Sequence, residues 1–407
     1  MLTDPSIFCP FGQVTRPPRG RAGLPHPTAP PTRPARRRLA VLAALALATG
    51  CWSGLIGQPD PDGEAAPAGD VDRPGRPIPG VRSDMPPWSG SDDQHGAKPR
   101  PSDAYTAIDP TELRRRLWTE PPPTYYVPPS AERSAALSAL IHALLSTPNP
   151  EPEHLGELAY AAGFEIHAWY VSGHRLLAAV EPPNRQTGAG AYVIRVGEGG
   201  GRPVILQAPH AFHDLGTERI ALALALRGHD WPRALFVTTI HRYLDIDGER
   251  RERDGAPADP CHNPDHLFSV ATAAALSALP DAEIVQIHGF DSGRDPLEPA
   301  VVVSAGDRTG ATIRTREVAE RLRLALGVDV ALYPLDRTRF GATTNAQGRL
   351  VRSRGRSGRF VHIELSPELR RRLQRDARAL AALAEALRPD DRAPEETLAI
   401  PPADRPL

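Results

Sequence analysis

The sequence predicts an α/β fold with a mixed, mostly parallel sheet and helices on both faces. Short apolar or alternating runs of strand length recur between Phe164 and Leu365, and helical patterns stand between many of them. Strands that alternate with helices are typical of a sheet covered on both sides. In such sheets functional groups gather at the carboxyl ends of the strands, so polar residues at strand ends become the candidate site.

The first half of the folded region is predicted to contain two helices, three strands and the start of a central strand. Helices are expected at Pro110–Leu117 and Ala131–Leu145, the second because its leucines recur at helical spacing. The strands are expected at Phe164–Val171, Arg175–Val180, Ala191–Val196 and from Val204 onward. The central strand leads through a polar elbow into a helix rich in Ala and Leu.

The second half continues the alternation and shows no internal repeat. Five further strands are expected at Ala234–Ile240, Glu283–His288, Ala300–Ser304, Asp329–Tyr333 and Arg359–Leu365. Three further helices are expected at Leu267–Leu279, Thr315–Leu326 and Pro367–Leu387. The alternation therefore extends over most of the chain beyond its first hundred residues.

Composition excludes some classes of function. Lys and Arg number 48 and Asp and Glu number 49 among 407 residues, which gives a formal net charge of -1. A near-neutral chain has no broad attraction to nucleic acid, so no nucleic-acid partner is expected. The three cysteines, Cys9, Cys51 and Cys261, are too few for a disulfide framework.

The N-terminus has the pattern of an export signal. Arginines at 33 and 36–38 precede Leu39–Thr49, an apolar run too short to span a bilayer, and Gly50 and Cys51 follow at once. This end resembles a bacterial lipobox, which implies lipidation of Cys51 and a membrane anchor in the cell envelope. An ordinary cleaved signal and an uncleaved anchor remain alternatives.

The remaining chain divides by composition. Residues 1–51 form the signal segment, and residues 52–104 are rich in Pro and Gly with little apolar content, which predicts a disordered tether. Residues 105–389 are expected to be the catalytic domain, and residues 390–407 a flexible tail.

Polar residues at three strand ends predict a metal site. The elbow after the central strand holds His210, His213 and Asp214, while His288 and Glu364 end two other strands. A catalytic zinc usually has three protein ligands of this type and one open position. A nearby carboxylate then accepts the proton of the activated water. Glu364 is expected to be that base because it shares a strand face with Phe360 and His362, opposite the apolar Val361, Ile363 and Leu365.

Four ordered patches carry a family resemblance. They are PHAFHDLGTERIA at 209–221, HRYLDIDGER at 241–250, VQIHGF at 285–290 and VHIELSPELR at 361–370. In this order they resemble the zinc carboxypeptidase superfamily, and within it the N-formylglutamate amidohydrolases and poly-γ-glutamate hydrolases. The resemblance implies one zinc ion, with His210 as its first ligand and His288 as its last. It also implies hydrolysis of an amide bond in a peptide, a cell-wall peptide or an N-acyl amino acid.

The resemblance leaves the second ligand open between two neighbouring residues. The carboxypeptidase spacing His-x-x-Glu falls on His213, whereas the poly-γ-glutamate hydrolases have a longer spacing before a Gly-Thr pair. Asp214 precedes Gly216 and Thr217, so Asp214 is the preferred ligand and His213 the alternative.

Two residues are predicted to bind a substrate carboxylate. The resemblance implies this role for Arg242, and a guanidinium fork suits a carboxylate. Asn345 is expected to assist with a terminal carboxylate. A surface arginine and a turn residue are the respective alternatives.

The segment CHNPDH at 261–266 contains several potential zinc ligands but has no second pair at finger spacing. His262 is instead expected near the crevice, or Asn263 as the cap of the following helix. For the whole protein the alternative to an enzyme is a non-catalytic exported lipoprotein of the same fold that binds a glycan or peptide.

Overall fold

The computed structural model describes residues 105–118, 122–147, 152–197, 201–227, 231–252, 255–291 and 298–389. The predicted signal, the lipidation of Cys51, the tether and the tail lie outside these residues. All described residues fall within one unit. Among them, no helix combines the length and the apolar character needed to cross a bilayer.

The described strands form one ten-stranded sheet. They are β1 Thr106–Ala107, β2 Glu165–Val171, β3 His174–Val180, β4 Ala191–Arg195, β5 Val204–Ala208, β6 Ala234–Val237, β7 Glu283–Gly289, β8 Val301–Ser304, β9 Val330–Leu332 and β10 Phe360–Leu365. Their order is β1-β2-β3-β4-β6-β5-β7-β10-β8-β9. The central strands β6, β5, β7 and β10 run parallel to one another, whereas β3, β4 and β8 pair antiparallel with a neighbour.

The described helices cover both faces of the sheet. They are α1 Pro110–Leu117, α2 Ala131–Ser146, α3 Pro152–Ala162, α4 Thr217–Ala225, α5 Leu267–Ala278, α6 Ile313–Leu326, α7 Ala346–Ser353, α8 Pro367–Arg375 and α9 Ala377–Leu387. One apolar cluster joins the sheet to α4, α6, α8 and α9, and a second joins it to α2, α3 and α5. The predicted fold class is therefore confirmed.

Alternation along the central strands assigns side chains to these two clusters. In β5, Leu206 belongs to the first cluster and Ile205 to the second, and in β10 Val361 belongs to the first and Phe360 to the second. Successive strand residues point to opposite faces, so His362 and Glu364 share the face of Phe360. The polar strand-end residues therefore lie on the α5 side of the sheet.

Some predicted elements differ from the observed ones. The long helix predicted at Pro367–Leu387 is two helices, because Asp376 ends α8 and caps α9 with its side chain. The strand predicted to reach Ile240 ends at Val237. Helices α3 and α7 were not predicted.

Candidate metal centre

The elbow after β5 is held in place by its own backbone. Gly216 has a φ of 91° and is the N-cap of α4, a left-handed conformation that favours glycine. The side chain of Glu218 accepts a hydrogen bond from the Gly216 amide at 2.9 Å. A carboxylate in this position stabilises the helix N-terminus.

The sheet register places the polar side chains in two levels. At the carboxyl ends, His288 of β7 pairs with Glu364 of β10. Two residues earlier, Gln286 pairs with His362 on one side and with Gln207 on the other. The second level therefore lies directly beneath the first.

Three predicted residues converge at the upper level. One oxygen of Asp214, Oδ2, lies 3.5 Å from Nδ1 of His210 and 3.2 Å from Nδ1 of His288. The two imidazole rings meet edge to face, with centroids 4.7 Å apart. All three side chains are buried. The Gly289 amide donates to the same oxygen at 3.1 Å, and a side chain at 289 would collide with the guanidinium of Arg370.

A further carboxylate, Asp259, contacts the other side of His210. It accepts from Nε2 of His210 at 3.0 Å and from the Cys261 amide at 2.9 Å. Its second oxygen contacts Nη2 of Arg242 at 2.6 Å and Nδ1 of His262 at 3.0 Å. Asp259 is fully buried, and a buried charge of this kind is tolerated only with such partners.

Cys261 is the third potential ligand that the fold brings to the two histidines. His210, Cys261 and His288 form a buried group that could hold a metal ion, since one ligand atom of each lies within 4.8 Å of the others. The thiol sulfur is 3.8 Å from Nε2 of His288, whereas Asp214 faces Nδ1. Cys261 is thus part of this cluster and not of a separate zinc site.

The neighbours of Cys261 only partly match their predictions. His262 lies beside the cluster, with Nδ1 3.0 Å from Asp259 and Nε2 3.2 Å from the hydroxyl of Thr344. The predicted cap role of Asn263 is wrong, because His266 is the N-cap of α5 and accepts from the Phe268 amide at 3.0 Å.

The chemistry of the donor set fits zinc. Zn–N and Zn–O bonds of about 2.0–2.2 Å at tetrahedral angles separate neighbouring ligand atoms by roughly 3.3 Å. The separations between Asp214 Oδ2 and the two Nδ1 atoms, 3.5 and 3.2 Å, are close to this value. On His210, Asp259 can only accept at Nε2, so Nδ1 is the nitrogen that would bind a metal ion after losing its proton.

Charge interactions at the cluster are strong. Burial alone would raise the pKa of Asp214, but hydrogen bonds from His210 and His288 hold that pKa well below its usual range. Burial would lower the pKa of His288, yet Cys261 and Asp214 raise it to about 9. The pKa of Glu364 rises to about 7, chiefly through burial. Asp214 and Cys261, acidic groups close to both imidazoles, therefore favour positive charge at this site.

Glu364 lies beside the cluster. It pairs in register with His288, and its side chain is 13% exposed. Nε2 of His362 lies 3.6 Å from Oε1 of Glu364. Burial keeps the pKa of His362 well below its usual value, so this imidazole is neutral.

The other predicted residues occupy different positions. His213 is exposed, and its ring packs against Tyr243 and His241 with centroids 4.9 and 5.6 Å away. Arg242 is mostly buried, with its guanidinium 4.9 Å from the centroid of the Tyr243 ring. Asn345 is buried and caps α7 by accepting from the Gly348 amide at 2.9 Å, so it begins a helix and is not part of an isolated turn.

Sequence reasoning missed the part of Asp259 and Cys261 in this cluster. Both lie in the loop before α5, and neither ends a strand. The available signal was the group of metal-ligand residue types at 259–266, of which the predictions above include only 261–266.

No protein-family model matches the chain, and no curated protein matches it in sequence. Several solved chains match part of it, including these two. The N-formylglutamate amidohydrolase from Ralstonia eutropha is 16% identical, with a TM-score of 0.27 over 46% of this chain and 90% of that chain. A gene product from Agrobacterium tumefaciens is 15% identical, with a TM-score of 0.29 over 47% of this chain and 90% of that chain. The function has to be inferred from the residues of this chain.

Proposed function

We propose that the protein is an exported, zinc-dependent amidohydrolase. One zinc ion would be held by Nδ1 of His210, Oδ2 of Asp214 and Nδ1 of His288. The observation that carries this proposal is the convergence of three buried side chains, in which Oδ2 of Asp214 lies within 3.5 Å of Nδ1 of both histidines. Asp214 is preferred to His213 as second ligand because the ring of His213 packs against His241 and Tyr243 instead.

Zinc in this position would supply Lewis acidity, which polarises an amide carbonyl and acidifies a water molecule. Glu364 would accept a proton from the attacking water and deliver it to the leaving nitrogen. Its placement beside His288 and its partial exposure suit this role. A pKa raised to about 7 suits a group that must both accept and release a proton near neutral pH.

Arg242 would orient the substrate. Its guanidinium is fixed by Asp259 at 2.6 Å and lies 3.3 Å from Nδ1 of His210. A carboxylate of the substrate that reached this guanidinium would lie next to the reacting centre. The proposed substrates are therefore a small peptide, a cell-wall peptide or an N-acyl amino acid, all of which combine an amide with a carboxylate.

The proposed location is the cell envelope, with the protein anchored through a lipid on Cys51. The support is the sequence pattern from Arg33 to Cys51. A substrate derived from the cell wall would be within reach of an enzyme tethered there.

Metal analysis of the purified full-length protein tests the proposal most directly. We expect one zinc per chain, lost in His210→Ala and in His288→Ala. Stoichiometric zinc in both variants would place the metal elsewhere. X-ray absorption distinguishes a zinc site that contains Asp214 from one that contains Cys261, because only coordination by Cys261 would add a Zn–S distance of about 2.3 Å.

A further inference from the structure

The lower polar level of the sheet is built around one amide, that of Gln286. Its Nε2 donates to Oε1 of Gln207 at 2.8 Å and to Oε1 of Gln347 at 3.1 Å. Its Oε1 accepts from Nδ2 of Asn345 at 2.8 Å and lies 3.3 Å from Nε2 of His288. Gln286 is fully buried, so none of these groups has water as a substitute partner.

The orientation of the Gln286 amide is fixed by neighbouring side chains whose own hydrogen-bond partners determine which of their atoms faces it. Thr272 donates its hydroxyl to the Phe268 carbonyl and therefore accepts from Nε2 of Gln207 at 2.9 Å. Gln347 donates to the Pro260 carbonyl at 2.8 Å. Both neighbouring glutamines must consequently direct Oε1 at the Gln286 amide. The NH₂ group of Gln286 is therefore the donor to both.

The contacts of Gln286 Oε1 lead to the same orientation of the amide. Asn345 accepts from the Gly348 backbone amide, so its NH₂ group must point at Gln286. Oε1 of Gln286 can then only accept from His288. When His288 binds zinc through Nδ1, the atom that faces Asp214, its one remaining proton is therefore on Nε2 and is donated to Gln286.

We infer that Gln286 is a positioning residue that fixes the ring and the tautomer of His288 for metal binding through Nδ1. This inference rests on the proposed metal site and assigns a role to a residue beneath it. A hydrogen bond to the second nitrogen of a ligating histidine holds the ring and raises its basicity, and losing such a partner typically weakens metal binding about 10–100-fold.

Two buried glutamine substitutions test the inference. Gln286→Met removes the acceptor of His288 with little change in volume, and we expect the Kd for zinc, measured by chelator competition, to rise about 10–100-fold. Gln207→Met is the matched control. It disrupts the same network without touching His288 and should bind zinc nearly as tightly as the parent protein. Thermal unfolding of both variants measures how much either one disturbs the fold.

The outcomes separate this inference from the proposed function. A parent protein that binds no zinc would overturn both. A parent that binds zinc, with Gln286→Met binding equally tightly, would overturn only the role of Gln286. Equal weakening in Gln286→Met and Gln207→Met would do the same, because a general loss of packing would then explain the effect.

A measurement on the parent protein keeps the inference testable even if Gln286→Met does not fold. Long-range ¹H–¹⁵N spectra of the zinc-loaded protein should show a proton on Nε2 of His288. A proton on Nδ1 of that ring would overturn the inference.

Discussion

Replacing Asp259 by asparagine should strongly destabilise the protein, although Asp259 lies in a loop and not at the end of a strand. The substitution keeps the size of the side chain but removes its charge. In the parent protein a carboxylate oxygen of Asp259 lies 2.6 Å from Nη2 of Arg242, and in the variant an uncharged amide would take its place. The side chain of Asp259 is 0% exposed and that of Arg242 13% exposed. Removing one partner of a buried ion pair typically costs about 3–5 kcal/mol, because the remaining charge loses its compensation.

Denaturant unfolding of the metal-free protein measures this loss independently of catalysis. The matched control is Asp247→Asn, which breaks an ion pair with Arg251 whose side chains are 49% and 43% exposed. An exposed pair of this kind contributes about 0–1 kcal/mol. If Asp259→Asn lowered the free energy of unfolding no more than this control does, the buried pair would not have the importance we assign to it.

The difference in unfolding free energy between the parent protein and Asp259→Asn should change with pH in one direction. Burial would raise the pKa of Asp259, but His210, His262 and Arg242 hold it well below its usual range. A carboxylate of this kind stabilises the folded state above its unfolded pKa of about 3.9, and the contribution falls by about 1.4 kcal/mol per pH unit below that value. The difference in stability between the parent and Asp259→Asn should therefore narrow between pH 4 and pH 2. A constant difference would refute the assignment.

Four further predictions concern the metal, the base and the anchor. Asp214→Ala should lose zinc while His213→Ala retains it, and the reverse result in metal analysis would exchange their roles. Glu364→Gln should keep zinc and the fold but hydrolyse amide substrates about 10²–10⁴-fold more slowly; a rate equal to that of the parent would exclude it as the base. Because the pKa of His288 is raised to about 9 in the metal-free protein, zinc binding must displace a proton, and zinc affinity should rise between pH 7 and pH 9; chelator titrations that show no pH dependence would contradict this. Cys51→Ser should move the protein out of the membrane fraction, and unchanged retention would argue against lipidation.

The sequence was most informative where burial is periodic. Helix α1 begins and ends as predicted, and β10 differs from its prediction only by the loss of Arg359. These elements bury a regular set of side chains, so the pattern is visible in the residues alone. Helix α7 was not predicted because its start lies in a Gly-rich stretch, and the cap formed by Asn345 is the one local signal of it.

The candidate site was predictable only in the part that the sheet itself places. His210, His288 and Glu364 follow or end parallel strands, and parallel strands bring their carboxyl ends to one edge. Asp259 is 49 residues from its partner His210. It reaches that partner through a loop whose course depends on tertiary packing, and no local periodicity encodes such a contact.

The lower polar level bears on the choice between an enzyme and a binding module. Buried amides and imidazoles are unfavourable unless each is paired, yet three adjacent strands place Gln207, Gln286 and His362 side by side. A protein that bound its ligand only at the surface would have no need of polar groups at this depth. Gln207 accepts from Gln286, and Gln286 in turn contacts Nε2 of His288, whose other nitrogen faces Asp214. A lower level that orients one imidazole nitrogen is expected of a metal site, and zinc stoichiometry in the parent protein tests for that site.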